Sequence, residues 1–311
     1  MLDLILLALA AVPLAMLATR FASCKRGRPV AALAALFPYC VPAGCLLAAV
    51  SFALGRWAVG GLAATITVLA SAFVAPRAWS QPSNSAGTSV RVLTANLLRG
   101  RADAAALVEL VREHRVDLLC LQELTVDAVQ NLKHAGLADE MPHVLFDNVL
   151  GRGRDTGLAS RHSIVSVTAE RPYAVGGIVR LADGRLLEVF AAHPIWPMSR
   201  KGPSLWYAAV ADLPRAVGSG PVRVLAGDLN ATLDHRVLRD LMASGYRDAA
   251  AAAGAGLRPT WPGAVRRSWP PVTIDHVLAD LRAEVRSCSV HDLPGSDHRA
   301  VLAEIVLPGN P

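Results

Sequence analysis

Cysteine is scarce in this 311-residue chain: Cys24, Cys40, Cys45, Cys120 and Cys288 make an odd total and show no CxxC spacing. Neither a zinc site nor a disulfide framework is indicated. Aromatic residues supply only 5% of the chain, no internal repeat is visible, and no basic stripe interleaved with aromatics marks a nucleic-acid groove. Acidic residues are almost missing from the front, where Asp3 stands alone against Arg20, Lys25, Arg26, Arg28, Arg56 and Arg77. Residues 1–87 therefore carry +5 of the formal +6 charge, and the remainder is close to neutral. Overall basicity is thus no argument for nucleic-acid binding, which needs Lys and Arg on the surface that meets the phosphates.

What the chain has in excess is apolar residues, 53% of the total, and they are concentrated at the front. Residues 2–19, 30–54 and 58–76 are each long enough to cross about 30 Å of hydrocarbon as a helix. They predict three transmembrane helices in a membrane anchor covering residues 1–80. A cleaved signal peptide would want a basic start, whereas this chain begins Met-Leu-Asp. Pro38 and Pro42 predict a kink within the second run. No ionisable residue interrupts the second or third run, which suits an anchor better than a transport pathway. The first loop holds Arg20, Lys25, Arg26 and Arg28 and the second only Arg56. The positive-inside rule then places the first loop in the cytoplasm, and two further crossings return the chain to that face. The expectation is a multi-pass protein of the cell membrane with a cytoplasmic domain. Trp79 suits the membrane interface, and residues 81–89 (QPSNSAGTS) read as a polar linker.

Residues 90–308 have the mixed composition of a folded domain. Apolar, β-branched runs predict strands at 90–96, 117–123, 186–193, 222–230, 272–280 and 298–307. Helical spacing appears over 101–115, 204–216 and 235–243, and the Ala-rich stretch 248–256 is a helix ended by Gly254 or a surface turn. The alternation predicts an α/β domain. Asn96, Glu123, His193, Asp228 and Asn230 each close an apolar run, and in α/β sheets sites assemble at the carboxyl ends of strands.

Taken singly, each of these residues has a structural explanation: Asn96 as a turn former, Glu123 at a helix start, His193 as a hydrogen-bonded core histidine. Their order is more telling. TANLLRG (94–100), LCLQEL (119–124), ASRHSI (159–164), AAHPIWP (191–197), AGDLNAT (226–232), TIDHVL (273–278) and GSDHRAV (295–301) follow one another along the chain. This series resembles the endonuclease/exonuclease/phosphatase superfamily, which includes pancreatic-type deoxyribonucleases, abasic-site endonucleases, neutral sphingomyelinases and inositol-polyphosphate 5-phosphatases. The resemblance spans residues 90–308. It implies a four-layer α/β sandwich, two packed mixed β-sheets flanked by helices, with a metal-dependent hydrolytic site at one rim.

Phosphodiester cleavage needs charge neutralisation on the phosphoryl oxygens, a positioned water and a means to quiet the leaving oxygen. Magnesium takes oxygen ligands from one or two carboxylates and keeps several waters, so Glu123, with Asn96 and Asp297, is an apt site for Mg2+, Mn2+ being the other candidate. The resemblance puts the metal on Glu123 and pairs His298 with Asp275, whose carboxylate would fix the imidazole's tautomer. Asp228 and Asn230 suit water positioning and the holding of a phosphoryl oxygen, with Asp228 and His298 both open as the proton acceptor. His193 corresponds to a histidine of the deoxyribonuclease and sphingomyelinase branches, where it would donate to the phosphate or the leaving oxygen. Ser160 with Arg161 match a block that reads as structural, and Thr260 with Trp261 suit a substrate-side loop.

Two departures bear on substrate choice. His276 stands where many relatives carry an aromatic residue, and Leu97-Leu98 follow Asn96 in place of a second polar ligand. The expected activity is nuclease-like hydrolysis of phosphodiester bonds. A phospholipid, sphingomyelin or phosphoinositide phosphoesterase is the alternative, since an anchor would hold the site beside headgroups. The basic pairs Arg152/Arg154, Arg200/Lys201 and Arg266/Arg267 read as solvated surface and do not discriminate between them. A non-catalytic membrane scaffold would have no reason to retain every group the chemistry needs. No protein partner is inferred.

Overall fold

The computed structural model describes all residues except 23–26, 81–86, 147–154, 172, 199–201, 264, 266–269 and 310–311. Most of the expected linker, part of the first basic loop and the three basic pairs named above therefore lie outside the described residues. Among the described residues twelve strands follow one another as β1 (Ser89–Asn96), β2 (Leu118–Leu124), β3 (His143–Phe146), β4 (Asp155–Ser160), β5 (Ser163–Arg171), β6 (Ala174–Arg180), β7 (Leu186–Ala192), β8 (Val222–Asp228), β9 (Tyr246–Asp248), β10 (Asp275–Asp280), β11 (Glu284–Asp292) and β12 (Arg299–Val306). They form two six-stranded mixed sheets, β11-β12-β1-β2-β4-β3 and β5-β6-β7-β8-β10-β9.

The two sheets are packed face to face because successive strand residues point to opposite sides and both sides here are apolar. On β1, Val90 and Val92 turn inward with Leu118, Cys120 and Leu158 to meet Val175, Val189, Val224 and Val277 of the second sheet. Leu93 and Ala95 turn outward, against Leu107 and Val111 of helix α5 (Ala104–Glu113). Asp103 caps that helix, its carboxylate accepting from the Ala105 and Ala106 N–H groups at 2.9 and 3.1 Å. On the far side of the second sheet, Trp206 and Val210 of α8 (Gly202–Ala211) and Leu238 and Leu241 of α9 (Arg236–Met242) cover Phe190, Leu225 and Leu278. Truncating a buried residue such as Leu118 to Ala should cost about 2–5 kcal/mol.

At the front, α1 (Leu2–Phe21), α2 (Arg28–Ala35), α3 (Cys40–Ala53) and α4 (Trp57–Val74) precede the sandwich. Leu2–Phe21 and Trp57–Ala78 are each long and apolar enough to cross a membrane. The second expected span, 30–54, does not form as one helix: α2 and α3 meet at a 56° bend and make a third crossing only if counted together. The break falls at Pro38, which has no N–H for a helical bond and restricts the residue before it. Before the break, α2 lies on the sandwich, with Ala31 and Ala34 in the same cluster as Trp206 and Leu229.

The front segment is fastened to the domain by polar contacts as well. Arg77 donates twice to the Asp234 carboxylate, at 2.6 and 2.7 Å, and Arg20 pairs with the same group, all three side chains being buried. The Tyr39 hydroxyl donates to the Pro271 carbonyl at 2.7 Å, and His235 Nε2 faces the Ala31 carbonyl at 3.0 Å. Ser80 pairs with Ala253 in an isolated bridge. At the opposite end of the helices, Arg56 lies 3.3 Å from Asp3. The domain-side ends of α1 and α4 therefore meet at Asp234.

Candidate active site

Strand direction gathers the site. β1 runs parallel to β2 with Asn96 beside Gln122, and β7 runs parallel to β8 with Ala192 beside Gly227, so two pairs of carboxyl ends reach one rim. The antiparallel partners begin where these end: Asp275 opens β10 opposite Asp228, and His298 immediately precedes β12, which pairs with β1. Gly227 makes the close approach of β7 and β8 feasible, since a Cβ there would lie 1.9 Å from the Ala192 carbonyl oxygen.

Backbone strain marks the same rim. Leu98, Arg99, Glu123 and Asn230 all have positive φ, between 46 and 55°, a region that non-glycine residues rarely occupy and that clusters at functional sites. At Glu123 this conformation accompanies a register break in the β2–β4 pairing between Leu121 and Leu124. Glu123 Oε2 accepts from the Arg99 N–H at 2.9 Å, and Asn96 Nδ2 lies 3.4 Å from Glu123 Oε1.

Asp228 is the hub. Its Oδ2 accepts from Asn96 Nδ2 at 3.0 Å and sits 3.5 Å from His193 Nε2 and 3.7 Å from His298 Nε2. Its Oδ1 accepts from the Asn230 N–H at 2.8 Å, while Asn230 Nδ2 donates to the Pro194 carbonyl at 3.0 Å. His298 Nδ1 donates to Asp275 Oδ2 at 3.0 Å, leaving Nε2 turned toward Asp228 and 4.0 Å from Asp297 Oδ1. The eight residues singled out from the sequence, Asn96, Glu123, His193, Asp228, Asn230, Asp275, Asp297 and His298, thus share one connected cluster.

Electrostatics here are set by burial against pairing. Burial opposes a charge on His298, but Asp275 and Asp228 outweigh it and push the imidazole up to about 10. Burial likewise opposes a charge on Asp228, and His298 with His193 overcome it, holding that carboxyl down to about 2. Burial pushes Asp275 up, with His298 pulling the other way.

The donor set fits a hard divalent cation. Among the described residues, the hydrogen bonds and ion pairs of Glu123, Asp228 and Asp275 involve no Lys or Arg side chain; Glu123 meets neutral N–H donors, and two imidazoles are the ionisable bases beside Asp228 and Asp275. Glu123 keeps acceptor capacity beyond its two hydrogen bonds, as a carboxylate ligand of magnesium needs, while the Asn96 amide turns its Nδ2 toward Glu123 and Asp228 and its Oδ1 accepts from the Leu98 N–H at 2.9 Å. Asp228, Asp275 and His298 also bring one ligand atom each within 4.8 Å of one another. That trio is the poorer place for such a cation, because both carboxylate oxygens of Asp275 already face His298 Nδ1, at 3.2 and 3.0 Å.

Supporting residues surround the site, and one of them, Ser296, escaped the sequence reading. Ser296 donates to the Asn96 carbonyl at 2.6 Å and accepts from the His298 N–H at 3.0 Å, joining the Asn96 strand to His298. Its place within GSDHRAV was the available signal. The Thr260 hydroxyl accepts from the Ile274 and Asp275 N–H groups, and Trp261 Nε1 lies 3.4 Å from Asp297 Oδ2, so this loop braces the site. His276 is buried between Asp248 Oδ2 at 2.8 Å and the Ala231 carbonyl at 2.7 Å. Both partners are acceptors, so both ring nitrogens donate; burial opposes that charge, and Asp248 overcomes it and pushes the pKa up. Ser160 and Arg161 serve structure: Ser160 accepts from the His162 N–H and Arg161 donates to the Val116 carbonyl and Glu140.

Comparison with known proteins bears on the fold and the family. No curated protein sequence matches the chain. Among solved structures, an endonuclease/exonuclease/phosphatase from Bacteroides vulgatus is similar, with TM-score 0.57 and 19% identity over 71% of this chain and 99% of that one. One from Beutenbergia cavernae is similar with TM-score 0.55 and 19% identity over 72% of each chain. A mannosyl-6-phosphatase from Bacteroides thetaiotaomicron is similar with TM-score 0.54 and 19% identity over 70% of this chain and 100% of that one. These likenesses establish the two-sheet sandwich. The model of the Endonuclease/Exonuclease/phosphatase family matches residues 93–298, from the middle of β1 to His298, and the chain belongs to that family.

Proposed function

We propose that this chain is a membrane-anchored, divalent-metal-dependent phosphoesterase that cleaves a phosphodiester with water. The observation that carries the reading is the convergence of four carboxylates and two histidines on one rim, around Asp228, with no Lys or Arg neutralising Glu123, Asp228 or Asp275 among the described residues. Glu123, Asn96 and Asp297 would hold Mg2+ or Mn2+, which when bound supplies positive charge to the phosphoryl and leaving oxygens.

The chain's own residues divide the remaining tasks. Asp228, fixed by Asn96 and the Asn230 N–H, orients the attacking water. His298, locked through Nδ1 by Asp275, presents Nε2 to the phosphate. His193, whose Nε2 lies 3.5 Å from the same Asp228 oxygen, would protonate the leaving oxygen. The positive-inside rule, applied to Arg20, Lys25, Arg26 and Arg28, supports a cytoplasmic face for the catalytic domain.

Nucleic acids present the required diester in the nuclease-like reading. The docking of α2 and the bend at Pro38 against the domain favours a second source, a lipid headgroup. The test is to incubate the full chain in detergent with Mg2+ and plasmid DNA, RNA, sphingomyelin or phosphoinositides in parallel. Hydrolysis of at least one substrate, lost with chelator and in Glu123→Ala, is expected. Inertness toward all four, or full activity in Glu123→Ala, would refute the reading.

A further inference from the structure

Beside the site lies a cleft of about 350 Å³ that no step of the chemistry uses. One wall belongs to the front segment: Pro38, Val41 and Pro42 at the bend, and Val74 at the domain-side end of α4. The opposite wall belongs to the loops that carry the site, through Leu233, Leu257, Pro259 and Val272. Thr232 and Thr273 also line it. Each stands two residues from a site residue, Asn230 and Asp275, so the paired Cα atoms lie within about 7 Å. Pro259 precedes Thr260, which holds the Asp275 amide.

The cleft's charged groups are already satisfied. Arg77 and Asp234 bind each other with two hydrogen bonds, Arg77 Nε donates to the Phe73 carbonyl, and the Tyr39 hydroxyl donates to Pro271. What remains for a ligand is proline, valine and leucine surface. Leu257 stays 42% exposed there, although an apolar side chain at a domain edge normally gains from cover. The volume lies within the usual range of ligand pockets, roughly 300–1,000 Å³. An apolar cleft with one wall from the front helices and the other from the loops that carry Asn230 and Asp275 suits an amphiphile, with its phosphate in the site and its hydrocarbon alongside.

We infer that the cleft receives the hydrocarbon chain of a lipid phosphoester next to its phosphate, so that the substrate is taken directly from the bilayer. This rests on the site being a phosphoesterase, and it adds a chain-binding subsite formed jointly by the Pro38 bend, the end of α4 and the loops around Leu233, Leu257 and Val272. Each methylene moved out of water into such a cleft is worth about a fourfold gain in affinity, reduced where the reference is detergent.

The experiment compares methyl, octyl and dodecyl p-nitrophenyl phosphodiesters with the full chain in detergent and Mg2+. Expected is a KM at least about tenfold lower for the dodecyl than for the methyl ester. In Leu257→Glu and Val41→Trp, two cleft-lining positions outside the catalytic cluster, that ratio should approach one while the methyl ester keeps its kcat/KM. A ratio near one in the unaltered chain, or a ratio unchanged in both variants because the dodecyl ester merely concentrates in micelles, would overturn the subsite. A second readout does not need turnover: a dodecyl phosphate bearing a diazirine near the phosphate is photolysed with the protein and the labelled peptides are identified. Labels at the Pro38 bend and the 257–259 or 271–273 loops are expected, and labels confined to other faces of α1 and α4 would overturn the subsite. If no ester is hydrolysed while the labels fall in the cleft, the phosphoesterase reading fails and the cleft stands.

Discussion

His298 Nδ1 lies 3.0 Å from Asp275 Oδ2, and both side chains are buried. A histidine held this way has one orientation, and its charge is stabilised by the carboxylate, so the two residues act as a unit. Asp275→Ala and His298→Ala should each lower kcat toward bis-p-nitrophenyl phosphate by about 10²–10⁴-fold. Because the pair shares one task, the double variant should be no more than a few-fold below His298→Ala. Multiplicative losses would show that the residues act separately.

His276 offers a structural counterpart one residue away. Its two ring nitrogens bind Asp248 and the Ala231 carbonyl, and it is only 1% exposed. His276→Phe would leave the Asp248 carboxylate buried without its cation, although Asp248 Oδ1 would still accept from the Ala251 N–H. Breaking a buried pair in this way costs about 3–5 kcal/mol. A thermal midpoint within a degree of the unaltered chain would contradict the account.

Asp234 binds Arg20 and Arg77, which come from two separate helices of the front segment. Asp234→Ala strands two buried guanidinium groups and should destabilise the junction by about 3–5 kcal/mol. Limited proteolysis after Arg77 or within 81–89 should then become faster, while Asp234→Asn should be intermediate. Unchanged cleavage in Asp234→Ala would show that the helices are held by apolar contacts alone.

Acid should loosen the same junction through His235. Its Nδ1 accepts from the Thr232 N–H at 2.8 Å, so Nε2 carries the proton donated to the Ala31 carbonyl, and burial pushes its pKa down to about 4. An unfolded histidine titrates near about 6.5. Between these values the unfolded chain binds a proton that the folded chain excludes, so stability is complete above about pH 6.5 and declines as pH falls toward 4. The loss from this group approaches about 3 kcal/mol. His235→Gln should show a shallower fall in thermal midpoint over that interval, and an identical fall would remove His235 from the explanation.

Six strands were legible as apolar runs, and they are β1, β2, β7, β8, β10 and β12, which lie in the interior of the sheets. Interior strands of a sandwich with both faces covered carry apolar residues on both sides, so the run is continuous. The edge strands β11, β3, β5 and β9 are half covered or very short and carry no such run, as Arg286, Ser287 and Ser289 in β11 illustrate. β6 was hidden by Gly176 and Gly177; at Gly176 a Cβ would meet the Phe190 ring at 2.2 Å, so packing and not strand propensity selects the residue. The site residues were legible because each ends an interior strand or opens its antiparallel partner. Ser296 and the partnership of His276 with Asp248 were not, since they depend on contacts between segments distant in sequence. The bend between α2 and α3 was foreshadowed by Pro38, but its angle follows from α2 having a domain surface to lie on.

The position of the cation is the most direct test of the central claim that Glu123, Asn96 and Asp297 hold the metal while Asp228 and His298 face the substrate. Crystals of the full chain grown with Mn2+ should give an anomalous peak in the first coordination shell of a Glu123 carboxylate oxygen, and Glu123→Ala should abolish it. A peak seated instead among Asp228, Asp275 and His298, with Glu123 unliganded, would contradict the assignment of roles.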